Sequence, residues 1–116
     1  MKKLLWLCLL FPLFAHAAGG FATSTSVTCA ASGSSTQVVA ATASRQSLLV
    51  SNTSGLTIRL AALSSGTGNL TSANSIQILA GQVYADSAPS NFIGRVVCMS
   101  TTGATAAVEV METRGQ

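Results

Sequence analysis

The sequence predicts an all-β domain: a small antiparallel β-sandwich, or a jelly-roll-like barrel, of six to seven short strands. Three observations predict it. Short apolar runs recur along the chain, separated by clusters of Gly, Ser, Thr and Asn. Where a run is long enough to read, apolar and polar residues alternate, which is the period of a half-buried strand. No stretch joins a sustained helical period to capping signals at its ends. The linkers are too short to hold crossover helices, so the connections are antiparallel. Short strands at regular spacing then form a sandwich or a small barrel.

The first strand is expected within residues 36–43. Residues 46–51 carry Leu48-Leu49-Val50 and end at Asn52-Thr53-Ser54-Gly55, a turn by composition. Leu56, Ile58 and Leu60 then alternate with Thr57, Arg59 and Ala61. Residues 64–69 form a Gly/Ser/Asn loop. Another strand covers residues 75–79, Ala80-Gly81 breaks it, and residues 82–86 can continue it. Residues 88–91, with Pro89, form a loop. The strongest β run is 92–100, with Ile93, Val96, Val97, Cys98 and Met99. Thr101-Thr102-Gly103 turns the chain into the last strand, 105–112, which has Ala106, Val108 and Val110 on one face.

The N-terminus follows the layout of a secretory signal peptide over residues 1–17. Lys2 and Lys3 form the positive end, residues 4–14 the apolar stretch, and Ala15-His16-Ala17 the small-x-small cleavage pattern. The apolar run falls short of the roughly 20 residues of a spanning helix, and Pro12 interrupts it. No transmembrane segment is therefore expected after cleavage. Cys8 lies inside the apolar stretch behind Trp6 and Leu7, which does not fit a lipidated cysteine. Residues 18–36 are rich in Gly, Ser, Thr and Ala and read as a flexible N-terminal arm. Such an arm can also pair as a strand on a neighbouring subunit. The β-sandwich domain is expected over residues 37–116.

Removal of the leader changes the composition. Roughly 100 of the 116 residues remain, enough for one domain. Lys2, Lys3, Trp6, Cys8 and His16 leave with it. What stays is Arg45, Arg59, Arg95 and Arg114 against Asp86, Glu109 and Glu112, a net charge of about +1. No basic run or lysine remains, so no nucleic acid partner is expected. A nearly neutral surface rich in Ser, Thr, Ala and Gly favours association. Of the cysteines, Cys29 and Cys98 remain, and an even pair in an oxidising compartment reads as a disulfide.

The groups that carry chemistry are scarce. Without histidine, neither a Ser-His-Asp nor a Cys-His arrangement can form. Zinc lacks ligands once the cysteines are paired, so no metal is expected. Glu109 and Glu112, the only close carboxylates, point to opposite faces of one strand and do not make a glycosidase pair. No Gly-rich phosphate motif follows a strand and opens a helix, so no cofactor is expected. The chain reads as a non-enzyme. Asn52-Thr53-Ser54 and Asn69-Leu70-Thr71 match the N-glycosylation pattern. Arg45, just before the Leu48-Leu49-Val50 strand, is placed to bridge to Asp86 or a glutamate.

The run Arg45-Gln46-Ser47-Leu48-Leu49-Val50-Ser51-Asn52-Thr53-Ser54-Gly55 resembles the "R-x-x-L-L-I-x-N-x-S" strand and turn of small β-sandwich proteins of tailed phages. Those proteins continue with an "L-x-A-G-Q" segment and a last hairpin ending in "V-x-E". Here Leu79-Ala80-Gly81-Gln82 and residues 108–112 fall in those places. The likeness covers residues 45–112 and implies a structural or decoration component of a virion. Members of that family usually lack a signal peptide, and this chain departs from them there.

Two functions follow as expectations. The first is a secreted or periplasmic structural protein that associates with itself or decorates a larger surface, such as a virion, a filament or the cell envelope. The second is an extracellular ligand- or glycan-binding module, with Tyr84, Phe92 and Arg95 as the contact residues.

Overall fold

The computed structural model describes residues 21–63, 70–87 and 94–115. The expected leader, the loops at 64–69 and 88–91, and Phe92 lie outside the described residues. The described residues form eight strands: β1 Phe21–Cys29, β2 Thr36–Val39, β3 Arg45–Asn52, β4 Ile58–Leu63, β5 Ile76–Ile78, β6 Val83–Ser87, β7 Arg95–Ser100 and β8 Ala106–Arg114. They make two four-stranded sheets with orders β1-β8-β3-β6 and β2-β7-β4-β5. Every pairing between these strands is antiparallel. Eight strands wound in this order across two sheets make a jelly roll.

Burial follows the alternation in the sequence. On β8, Ala106, Val108, Val110 and Glu112 are buried while Ala107, Glu109 and Met111 are exposed. On β3, Leu48, Val50 and Asn52 point inward. The core between the sheets combines these with Val38, Ile58, Leu60, Ile78, Val96 and Cys98. A second, smaller cluster of Ala61, Leu70, Val97 and Met99 covers the outer side of β4 and β7. That explains the continuous burial of β7: its residues are covered on both faces.

Seven strands fall within or beside the expected runs. The eighth corrects the flexible arm, because residues 21–29 form β1, paired with β8 from Phe21↔Arg114 to Cys29↔Ala106. Its hydroxyl-rich composition resembles a linker because little of it is buried: Ala22 to Ser26 are all exposed. Backbone pairing and a covalent anchor hold it instead of apolar burial. The anchor is the Cys29–Cys98 disulfide, with an S–S distance of 2.06 Å and both residues fully buried. It ties β1 of one sheet to β7 of the other.

The turns follow from side-chain chemistry. Asn52 is fully buried. Its Nδ2 donates to the carbonyls of Leu56 at 2.7 Å and Ile78 at 3.0 Å. Its Oδ1 accepts from the Ser54 backbone N–H at 3.1 Å and hydroxyl at 2.7 Å. The amide nitrogen that a glycan would need is thus engaged and inaccessible. Between β5 and β6, Gln82 N–H donates to Leu79 O at 3.0 Å. Gly81 occupies the third position of that turn at φ 75°, a conformation that glycine adopts without strain.

Candidate functional site

Three features outside the apolar core could carry a function: a buried ion cluster, two clefts between the sheets, and the sheet edges. The ion cluster begins at Arg45, whose side chain is fully buried. Its Nε donates to Glu112 Oε1 at 2.7 Å, Nη1 to Gly94 O at 2.8 Å, and Nη2 to Ala40 O at 2.5 Å. Arg114 donates to the other carboxylate oxygen through Nε at 3.0 Å and Nη2 at 2.8 Å. Burial by itself raises the Glu112 pKa. Hydrogen bonds from Arg114 and Arg45, together with their charges, outweigh that and hold it below its ordinary value. Of the partners open to Arg45 in the sequence, the glutamate on β8 is the one in this cluster. The cluster joins β3, β8, the end of β2 and the start of β7, which is a structural role.

Each lateral side of the sandwich opens into a cleft. One, of about 480 Å³, lies beside β6 and β5 and is lined by Leu48, Leu60, Ile76, Val96, Tyr84 and Asp86, among others. It exists because β5 is only three residues long and leaves the inner face of β6 partly uncovered. Burial pushes the Tyr84 phenol above its ordinary pKa, and the neighbouring Asp86 charge adds to the rise. The opposite cleft, about 280 Å³, lies beside β1 and β2 and is lined by Thr23, Thr25, Val38, Glu112 and Arg114, among others. Four-residue β2 is likewise too short to cover the inner face of β1.

The sequence-predicted contact residues do not converge. Tyr84 points into the larger cleft between the sheets. Arg95 pairs across from Leu63. The alternation along β7 puts it on the same face as Val97 and Met99, the outer one. Its Nη2 is buried without a hydrogen-bond partner among the described residues. Phe92 lies outside them. Among the described residues no three potential ligands gather around a metal position, and no helix is long and apolar enough to cross a membrane.

The edges are β1 and β6 in one sheet and β2 and β5 in the other. Over Phe21–Cys29, β1 carries no charged residue and no proline. Sheet edges are ordinarily protected by charge, proline or a bulge, and the register of β1 on β8 runs without a bulge.

The chain shares its fold with a protein of bacterial appendages. The solved structure carries the description "Bacillus endospore appendages form a novel family of disulfide-linked pili", and the match has a TM-score of 0.50. It spans 85% of this chain and 93% of that one, at 13% sequence identity. No family model matches the sequence, and no curated protein is similar to it. The likeness to sandwich proteins of tailed phages is therefore corrected: the structural similarity is to an appendage protein. The residues that carried it have local roles here. Arg45 holds Glu112, Asn52 closes the turn after β3, and Gly81 closes the turn before β6. Such devices serve sandwiches of any lineage.

Proposed function

We propose that the chain is an exported, non-enzymatic structural subunit that associates with copies of itself into a surface or extracellular assembly. The observation that carries this reading is the long, uncharged, unprotected edge of β1. Nine residues of edge backbone without a charge or proline are a template for pairing with another chain. Three further features support it: the near-neutral hydroxyl-rich surface, the buried disulfide, which fits an oxidising compartment, and the appendage protein that shares the fold.

The described neighbour belongs to disulfide-linked pili. In this chain Cys29 and Cys98 are bonded to each other, and Cys8 leaves with the leader if cleavage follows Ala17. No cysteine is then left for a disulfide between subunits, so denatured particles should run as monomers on a non-reducing gel. The test is to express the full chain in a bacterium that exports it, then purify the mature protein. Sedimentation and electron microscopy at increasing concentration should show oligomers or filaments. A protein that stays monomeric at millimolar concentration and binds no cell surface sinks the proposal.

A further inference from the structure

The two edges of the sheet β1-β8-β3-β6 run in opposite directions. Each of its three pairings is antiparallel, so β1 and β6 point opposite ways along the sheet. The same holds for β2 and β5 in the other sheet. A second copy displaced sideways, without being turned over, thus brings its β1 beside β6 of the first in antiparallel sense.

The register also matches. Across the sheet, Ser24, Met111, Leu49 and Ala85 lie at one level, and Thr23, Glu112, Leu48 and Asp86 at the next. Displacement along that direction sets Ala85 opposite Ser24 of the next copy, Asp86 opposite Thr23, and Tyr84 opposite Thr25. Outward residues then meet outward residues and inward meet inward, which continued pleating requires. The clefts beside the two edges face each other across the junction. One holds Asp86. The other holds Arg114, whose side chain is 43% exposed, in a cluster of two arginines and one glutamate. The charges are complementary.

We propose that β6 of one copy pairs with β1 of the next, antiparallel and in this register, so that the sheets run on from subunit to subunit. The partner is a second copy of this chain, and the proposal rests on the self-association reading above. This contact is head-to-tail, so it propagates from copy to copy with the rotation that sheet twist imposes, as an open helical filament or, where that rotation closes, a ring.

Ser24→Cys and Ala85→Cys place thiols on the two edges, both at exposed positions. Within one copy they are separated by three strand spacings, about 14 Å, too far for a bond. Oxidised assemblies of the double variant should give a ladder of dimers, trimers and higher species on a non-reducing gel. Each single variant should give only monomers. Dimers from Ser24→Cys alone would mean that β1 pairs with itself and would overturn the proposal. So would particles of the double variant in which mass spectrometry finds no disulfide-linked peptide pair joining position 24 to position 85; that result leaves self-association standing. A double variant that remains monomeric, alongside a monomeric parent, removes both readings together.

Discussion

Replacing Glu112 by alanine tests the buried ion cluster. Arg45 is fully enclosed, and Glu112 supplies the negative charge of the cluster. Without that carboxylate, the guanidinium keeps its carbonyl acceptors at Gly94 and Ala40 but loses this counter-charge. Breaking a buried pair in this way costs about 3–5 kcal/mol, a large share of the ~5–15 kcal/mol that holds a domain together. Arg114→Ala removes the other arginine from the same carboxylate. That side chain is 43% exposed, so water replaces it and the loss should stay under about 1 kcal/mol. Urea unfolding of the parent and the two variants at pH 7 gives both numbers. The reasoning fails if Glu112→Ala costs no more than Arg114→Ala. It fails equally if the loss for Arg45→Ala combined with Glu112→Ala equals or exceeds the sum of the single losses, since an interaction shared by the two residues is counted twice in that sum.

Other outcomes follow from the same geometry. Lowering the pH should destabilise the fold through Glu112. Its pKa is depressed in the folded state, so its contribution is complete above the unfolded pKa of about 4.3 and fades as pH falls through the folded value; a pH series of urea midpoints should show this step in the parent and not in Glu112→Gln. Replacing Cys29 and Cys98 by alanine opens a loop with a separation of 69 residues and should cost about 4 kcal/mol, read by chemical denaturation. Asn52→Ala removes a donor from the Leu56 and Ile78 carbonyls and the acceptor of the Ser54 N–H, leaving Leu56 O with the Ser54 hydroxyl alone, and should cost about 1–3 kcal/mol, with the loss visible as a lower melting temperature. Ser24→Lys puts a charge on the exposed β1 edge; it should block assembly while leaving the melting temperature within a degree or two, and unchanged particles would count against β1 as the docking edge.

Strands with a buried face were legible in the sequence, because burial writes a pattern. Ala106, Val108 and Val110 on β8 alternate with exposed neighbours and stand out as a strand, and the run Leu48-Leu49-Val50 marks β3, although Asn52, read there as part of a turn, is its buried last residue. The Cys29–Cys98 bond was legible from the two cysteines that remain once residues 1–17, read as a leader, are set aside. By contrast, β1 was not legible as a strand, because Ala22 to Ser26 are exposed on both faces and leave no apolar period. The clefts were hidden too. They arise where β2 and β5 stop short, and strand ends are set by tertiary pairing more than by local composition. The glycan platform was drawn from residue type alone, which cannot tell that Tyr84 faces inward while Arg95 lies on an outer face.

The order of β1 bears directly on what its edge can do. Little apolar surface holds this strand, yet it is tied near both ends. Cys29 bonds it to β7. At the other end, Thr23 Oγ1 donates to the Glu112 carbonyl at 3.4 Å, on the residue that Arg45 and Arg114 clamp. An edge fixed in this way is already extended before a partner arrives. A flexible arm would lose about 1–2 kcal/mol of backbone freedom per residue ordered on docking, and a preformed strand avoids most of that cost. In the proposed assembly the disulfide and the ion cluster would therefore act beyond stability, because each holds one end of the edge that would pair with the next copy. Loosening either should weaken assembly even under conditions where the rest of the sandwich stays folded.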